Sequence, residues 1–387
     1  MIKFESVEDA LKTVTAPEGR ECIDPATGEL IGRSRQDSPA DLDQAIAAAH
    51  RAQPQFAQLR EEQRCEILNQ AADALEESAE ALAQLLTREQ GKPLNGPNAR
   101  FEVGACIAWL RATAALESPD YEINDEGVRA SVTYRPLGVV GAIGPWNWPM
   151  MTAIWQLAPA LRMGNAVIVK PSEFTPLSVR ALCAVLNGVL PQDVLHVVVG
   201  GKELGAALSR HEGIQKITFT GSTKTGQKIV ESSAHNLTRL TLELGGNDAG
   251  IVLDDAVPAD IAQDLFWGAF INSGQTCAAM KRLYVPESLY SEVCEELVKV
   301  AKATPMGVGT EENNVLGPLQ NRQQFNIVDT LVKAAKASGA HILLGGDPDY
   351  DHPGNFYPTT LVADIDADNP LVAEEQFGPA LPIVSYT

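Results

Sequence analysis

No long hydrophobic run occurs in the 387 residues. The most apolar stretches, such as Leu137 to Ile143 and Ala166 to Val169, fall far short of the ~20 residues that span a bilayer, so no membrane partner is expected. Paired cysteines are also missing. Cys22, Cys65, Cys106, Cys183, Cys277 and Cys294 are widely scattered, with no Cys-x-x-Cys and no Cys/His pair at metal-ligand spacing. That spacing argues against a disulfide framework and a zinc site, and it fits a reducing cytoplasm in which a thiol is free to react. Positive charge is scarce: 30 Lys and Arg stand against 50 Asp and Glu, a formal charge of −20 with no basic run. Such a field repels phosphate backbones and excludes nucleic acid as a partner. The N-terminus carries Glu5, Glu8 and Asp9 where a secretion signal needs a basic and then an apolar segment.

Apolar residues make up 45% of the chain, enough for a large core, and at roughly 150 residues per domain the length predicts two or three domains. Ser38 is placed to cap a helix over Asp41 to Ala52. Arg64 to Gln90 repeats apolar residues at three-and-four spacing and reads as one helix that stops at Gly91-Lys92-Pro93. Arg129 to Leu137 alternates like a half-exposed strand. From Gly138 onward, short apolar runs alternate with helical stretches. Val139 to Ile143, Ala166 to Val169, Val194 to Val199 and Lys216 to Thr220 are the first runs. A second series follows, including Ala249 to Leu253, Arg282 to Val285 and His341 to Leu344. The rhythm predicts an α/β fold with parallel, doubly wound sheets, and Gly245-Gly246 is a plausible hinge between the two series.

Four places could carry chemistry. Gly221-Ser-Thr-Lys-Thr-Gly226 joins a predicted strand to a predicted helix, a geometry that offers backbone N–H groups and the positive helix end to a phosphate. It is neither a P-loop nor GxGxxG, and a tight glycine turn would use the same residues. Cys277 follows Gly274-Gln-Thr at the end of an amphipathic helix, a more exposed setting than a core cysteine has. Glu243 sits among apolar neighbours beside the glycine pair. Desolvation there would raise its pKa toward that of a general base, whereas a strand-edge salt bridge would leave it ordinary. Asn147 lies between Trp146 and Trp148, with Pro145 and Pro149 outside them, and a side-chain amide held so rigidly suits an oxyanion.

Taken in order, the segments PWNWP, FTGSTKTG, LELGG, GQTCAA and EEQFGP resemble the aldehyde dehydrogenase superfamily from about Asp24 to the last residue. The resemblance implies an NAD-binding Rossmann-like domain over 1–120 and 138–245, a small β arm for oligomerisation over 121–137, and a catalytic α/β domain of related topology over 246–387. It implies Cys277 as the nucleophile that forms a thiohemiacetal and then a thioester, Asn147 as oxyanion donor, and Glu243 as the base that activates water for deacylation. It further implies cofactor contacts from Trp146, Lys170, Glu173, Gly221, Ser222, Gly226, Glu375 and Phe377. A carboxylate at Glu173 favours NAD over NADP, because it accepts from a ribose hydroxyl and repels a 2′-phosphate. The implied partners are a small-molecule aldehyde and further copies of the chain, as a homodimer or homotetramer. No metal is implied. Trp148, Met151, Trp155, Phe266 and Thr276 are the expected neighbours of the substrate.

Three departures from the family pattern stand out. Asn247-Asp248-Ala249 follows the glycine pair where Lys, a small residue and Pro are common, and Gln156 stands where Lys is frequent. Family members also continue well past Phe-Gly-Pro, so a catalytic domain incomplete at its C-terminus is expected. A semialdehyde or coenzyme A-linked enzyme is the alternative activity, and an inactive dinucleotide-binding protein is the non-catalytic one.

Overall fold

The computed structural model describes residues 2–117, 120–125 and 127–387, which divide into two compact units. The first comprises Met1–Arg20, Arg33–Leu82 and Glu102–Glu243. Its early elements are α1 (Val7–Val14), the outer ends of β1 (Arg20–Ile23) and β2 (Leu30–Ser34), α2 (Pro39–Ala57), α3 (Glu61–Glu77), and parts of α4 (Ala79–Gln90) and α5 (Ala99–Ala115). Ser38 caps α2 as expected, in a capping box with Asp41. The single helix expected over Arg64 to Gln90 is two helices, α3 and α4. Ser78 ends the first, and its buried hydroxyl accepts the N–H of Phe4 at 3.1 Å. A small polar residue that serves another segment interrupts an otherwise continuous helical pattern.

The ribbon β3 (Tyr121–Asp125) and β4 (Val128–Val132) is antiparallel and exposed along nearly its whole length. Its strand therefore ends at Val132, short of the expected Leu137, and Glu126 at its turn lies outside the described residues. Then come β5 (Val139–Ile143), α6 (Pro149–Arg162), β6 (Ala166–Lys170), α7 (Pro176–Asn187), β7 (Leu195–Val197), α8 (Lys202–Arg210), β8 (Lys216–Thr220), α9 (Thr223–Ser233) and β9 (Arg239–Glu243). The five strands pair in parallel in the order β7-β6-β5-β8-β9. Helices α6, α7, α3 and α1 form one packed set and α2, α8 and α9 another, so β5 and β6 are buried at every position. Strand order reverses between β5 and β8, and in such sheets ligands bind outside the carboxyl ends of the strands at that point.

The second unit comprises Glu21–Gly32, Ala83–Phe101 and Leu244–Thr387. Its later elements are β10 (Asp248–Ile251), α10 (Pro258–Phe270), a 3-10 turn (Ile271–Gly274), β11 (Met280–Pro286), α11 (Tyr290–Ala303), α12 (Arg322–Ala337), β12 (His341–Leu344), β13 (Thr360–Ala363), α13 (Pro370–Ala373) and β14 (Ala380–Tyr386). Side chains alternate across this sheet. Leu283, Val285, Leu361 and Ile383 enter a core with Phe266, Phe270 and Leu297, while Val362, Ala380 and Val384 enter another with Phe325, Val328 and Tyr357. The sheet order is β10-β11-β14-β13-β12. It is mixed rather than wholly parallel, because β12 runs antiparallel to β13. Phe266, expected beside the substrate, is closed into the first of these cores. No helix among the described residues is long and apolar enough to cross a membrane.

Candidate active site

In the first unit, eight of the candidate residues follow the carboxyl ends of four parallel strands. Trp146 and Asn147 come after β5, Lys170 ends β6 with Glu173 just beyond it, Gly221, Ser222 and Gly226 follow β8, and Glu243 ends β9. The turn after β5 is anchored at both ends. The N–H of Gly144 donates to Lys170 O at 3.0 Å. At the far end, α6 has no capping side chain of its own, and Glu102 accepts the N–H groups of Met150 and Met151 at 2.9 and 3.1 Å. Asn147 between these anchors is buried.

The turn after β8 is pinned by the Gly221 N–H, which donates to Glu243 O at 3.0 Å. Gly221 is required because a Cβ would lie 2.7 Å from the Phe219 ring. Ser222 is the N-cap of α9, its hydroxyl accepting the Thr225 N–H at 3.3 Å. The exposed helix start thus leaves its first N–H groups without an intrahelical acceptor, a fit for a phosphate. Burial pushes the Lys170 ammonium down to about 8 against the pull of Glu173. Glu173 is paired with Arg20, whose guanidinium also lies 5.1 Å from the Phe174 ring centre. Glu243 is exposed at the end of β9. Leu240 and Leu242 lie on the face of the strand opposite to it and do not enclose it, unlike the apolar setting expected.

The second unit gathers Cys277, Glu375 and Phe377 with Gly246. Cys277 is the exposed one of the six free cysteines. It sits in a turn after the 3-10 segment rather than at the end of a helix. The three residues Asn272, Ser273 and Gly274 all have left-handed backbones, with φ of 52°, 54° and 74°. Gly274 fits because a Cβ there would strike the Gly378 carbonyl. Glu375 accepts from the Gly246 N–H; burial raises its pKa, while Lys281 and that N–H lower it. Its Oε1 is buried with no partner, so it can accept one further hydrogen bond.

Lys281, Gln376, Arg20 and Glu102 escaped the sequence reading. Lys281 is buried on β11 and donates to Gly274 O at 2.8 Å and Thr276 O at 2.7 Å. Gln376 donates to Lys281 O at 2.8 Å and so ties the start of β11 to the segment before β14. A signal existed for Lys281 in the alternation of β11, which puts this lysine at a buried phase. Among the described residues no cluster of His, Cys, Asp and Glu could hold a metal ion.

The profile of the aldehyde dehydrogenase family matches residues 13–387. A probable aldehyde dehydrogenase from a Pseudomonas species is 38% identical over 373 residues, covering 94% of this chain and 74% of the relative. A betaine aldehyde dehydrogenase from Staphylococcus aureus, solved in complex with NAD+, superposes with a TM-score of 0.90 at 30% identity, covering 96% of this chain and 76% of that one. An NADP-dependent enzyme from E. coli gives a TM-score of 0.92 at 31% identity, with 96% and 78% covered. The chain belongs to the aldehyde dehydrogenase family, and its chemistry is aldehyde oxidation.

Proposed function

We propose that this chain oxidises an aldehyde to a carboxylic acid through a thioester on Cys277, with NAD, or less readily NADP, as hydride acceptor. The exposure of Cys277 alone among six cysteines, in a segment matched by the family profile, carries this reading. The Cys277 thiolate attacks the aldehyde carbon. The side-chain amide of Asn147 and the N–H of Cys277 hold the oxyanion; one such donor typically contributes ~10²-fold or more in rate. Bound dinucleotide supplies the acceptor for the hydride that leaves the same carbon. Glu243, exposed and so open to water, takes a proton from the water that cleaves the thioester, releasing the acid and restoring the thiol.

The groups present suit such a dinucleotide. The start of α9 with Gly221, Ser222 and Gly226 would take the pyrophosphate, Lys170 and Glu173 the adenosine ribose, and Trp146 the space beside them. The unpartnered Oε1 of Glu375 would accept from the nicotinamide ribose, with Phe377 against the ring. The exposed β3–β4 ribbon supports assembly as a homodimer or homotetramer. A reducing compartment such as the cytoplasm suits a mechanism that needs a free thiolate.

Turnover is tested by mixing the protein with NAD and a panel of aldehydes and following reduced nicotinamide. Reduction that is lost in Cys277→Ser and unaffected by coenzyme A is expected. Full activity in Cys277→Ser, or an acyl-coenzyme A product, would overturn the reading.

A further inference from the structure

We propose that Lys281 is the positioning residue of the nucleophile turn: its ammonium holds the carbonyls of Gly274 and Thr276 and sets a positive charge beside Cys277. The inference rests on the reading of Cys277 as nucleophile.

Four observations point the same way. Lys281 is 1% exposed, and a charged group closed off to that degree must have its donors satisfied. Two donors are used on the carbonyls that bracket Gln275, and the ammonium lies 4.8 Å from the centre of the Phe377 ring. The segment so held is strained: Asn272 and Ser273 carry left-handed backbones that residues with a Cβ rarely adopt. Strain of that kind persists only where the surroundings hold it, and Lys281 is bonded to the end of the strained run. The register also slips at this position, with Asp248 opposite Met280 and Ala249 opposite Arg282. Lys281 is thus the extra residue of a β-bulge, a device that re-aims one side chain.

The groups in its field are Glu375 before β14, Cys277 in the turn and Asp248 on β10; burial outweighs their pull and brings the ammonium down to about 8. Its strand neighbour Arg282 faces elsewhere, donating to Asn247 O at 3.1 Å. Below pH 8 Lys281 therefore both bonds and charges the turn. Above it the neutral amine can still donate to two carbonyls, but the charge is gone.

Alkylation of Cys277 by iodoacetamide, followed by mass spectrometry of its peptide between pH 6 and pH 10, reads the turn directly. Lys281→Met is expected to slow alkylation at neutral pH about tenfold, as loss of a neighbouring cation does. Its kcat falls while KM for the aldehyde holds. The thiol's own ionisation shapes every profile, so the parent is divided by Lys281→Arg, which keeps its charge throughout; that ratio is expected to change near pH 8, where only the parent loses its cation. The ratio decides the matter even where Lys281→Met fails to fold. A Met profile that superimposes on the parent, or a parent-to-Arg ratio constant from pH 6 to pH 10, would overturn the proposal. Cys277→Ser separates the two ideas: if it remains fully active, the nucleophile reading fails, while the alkylation profiles still answer for Lys281.

Discussion

Glu102, a carboxylate with no solvent exposure, holds the first turn of α6 by accepting the Met150 N–H at 2.9 Å. The same oxygen takes the Met151 N–H, so one buried charge completes a helix start that lacks a cap of its own. Asn147 lies three residues before Met150, and its amide is only as well aimed as this turn is fixed. Charge-assisted bonds to a helix N-terminus are stronger than neutral ones. Glu102→Ala is therefore expected to cost about 2 kcal/mol in urea unfolding, and to lower kcat while leaving KM for NAD near the parent value. Unfolding and turnover indistinguishable from the parent would show that the turn stands without Glu102.

A pH dependence of stability follows from Lys170. Its folded pKa, about 8, lies below the ordinary lysine value. Between about pH 8 and the unfolded pKa the unfolded chain binds more protons, so this residue makes stability rise with pH. From pH 7.5 to 9 the gain is about 1 kcal/mol. Cys183 and Tyr290 have pKa values pushed up to about 12 by burial and act in the opposite direction, but their loss sets in above pH 9. Lys170→Met removes only the lysine contribution. Its stability relative to the parent, measured by denaturant unfolding without cofactor, is expected to decline across this window; a constant difference would contradict the burial argument.

Cofactor choice is expected to turn on Glu173. A second negative charge ~4 Å from a 2′-phosphate is worth about 4 kcal/mol at an effective dielectric of ~20, less after screening. The pairing with Arg20 adds something the sequence does not display, since removing the carboxylate takes one counter-charge from a guanidinium suited to phosphate. Glu173→Gln is expected to raise the ratio of kcat/KM for NADP over NAD by at least about tenfold. Arg20→Ala in that background should return most of the gain. An unchanged ratio in Glu173→Gln would remove this residue from cofactor selection.

The limits of β5, β8 and β12 coincide with the expected ones, because short apolar runs leave strong local patterns. Other features have no local pattern to read. Strand direction is not a periodicity, so the antiparallel β12 looked like its parallel neighbours. α5 escaped because its apolar residues are not confined to one face: Phe101 and Trp109 on it are exposed. β9 is a half-exposed strand of five residues whose range is not among the expected runs. The site divides likewise. Cys277, Asn147 and the Gly221 turn are marked by rigid or small neighbours, whereas Arg20 and Glu173 are 153 residues apart in the chain. Their pairing depends on the folded path alone. The exposure of Glu243 shows the converse: apolar neighbours in sequence do not surround a side chain when a strand sends them to its opposite face.

In the proposed reaction Cys277 carries the acyl group and Glu243 releases it. Rapid mixing of Glu243→Gln with NAD and aldehyde, with quenched samples digested for mass spectrometry, tests both at once. One equivalent of reduced nicotinamide should form in a burst, steady turnover should fall by about 10²-fold or more, and the peptide holding Cys277 should gain the mass of the acyl group. A Glu243→Gln variant that turns over at the parent rate, or that shows a burst with the Cys277 peptide unmodified, would contradict these roles.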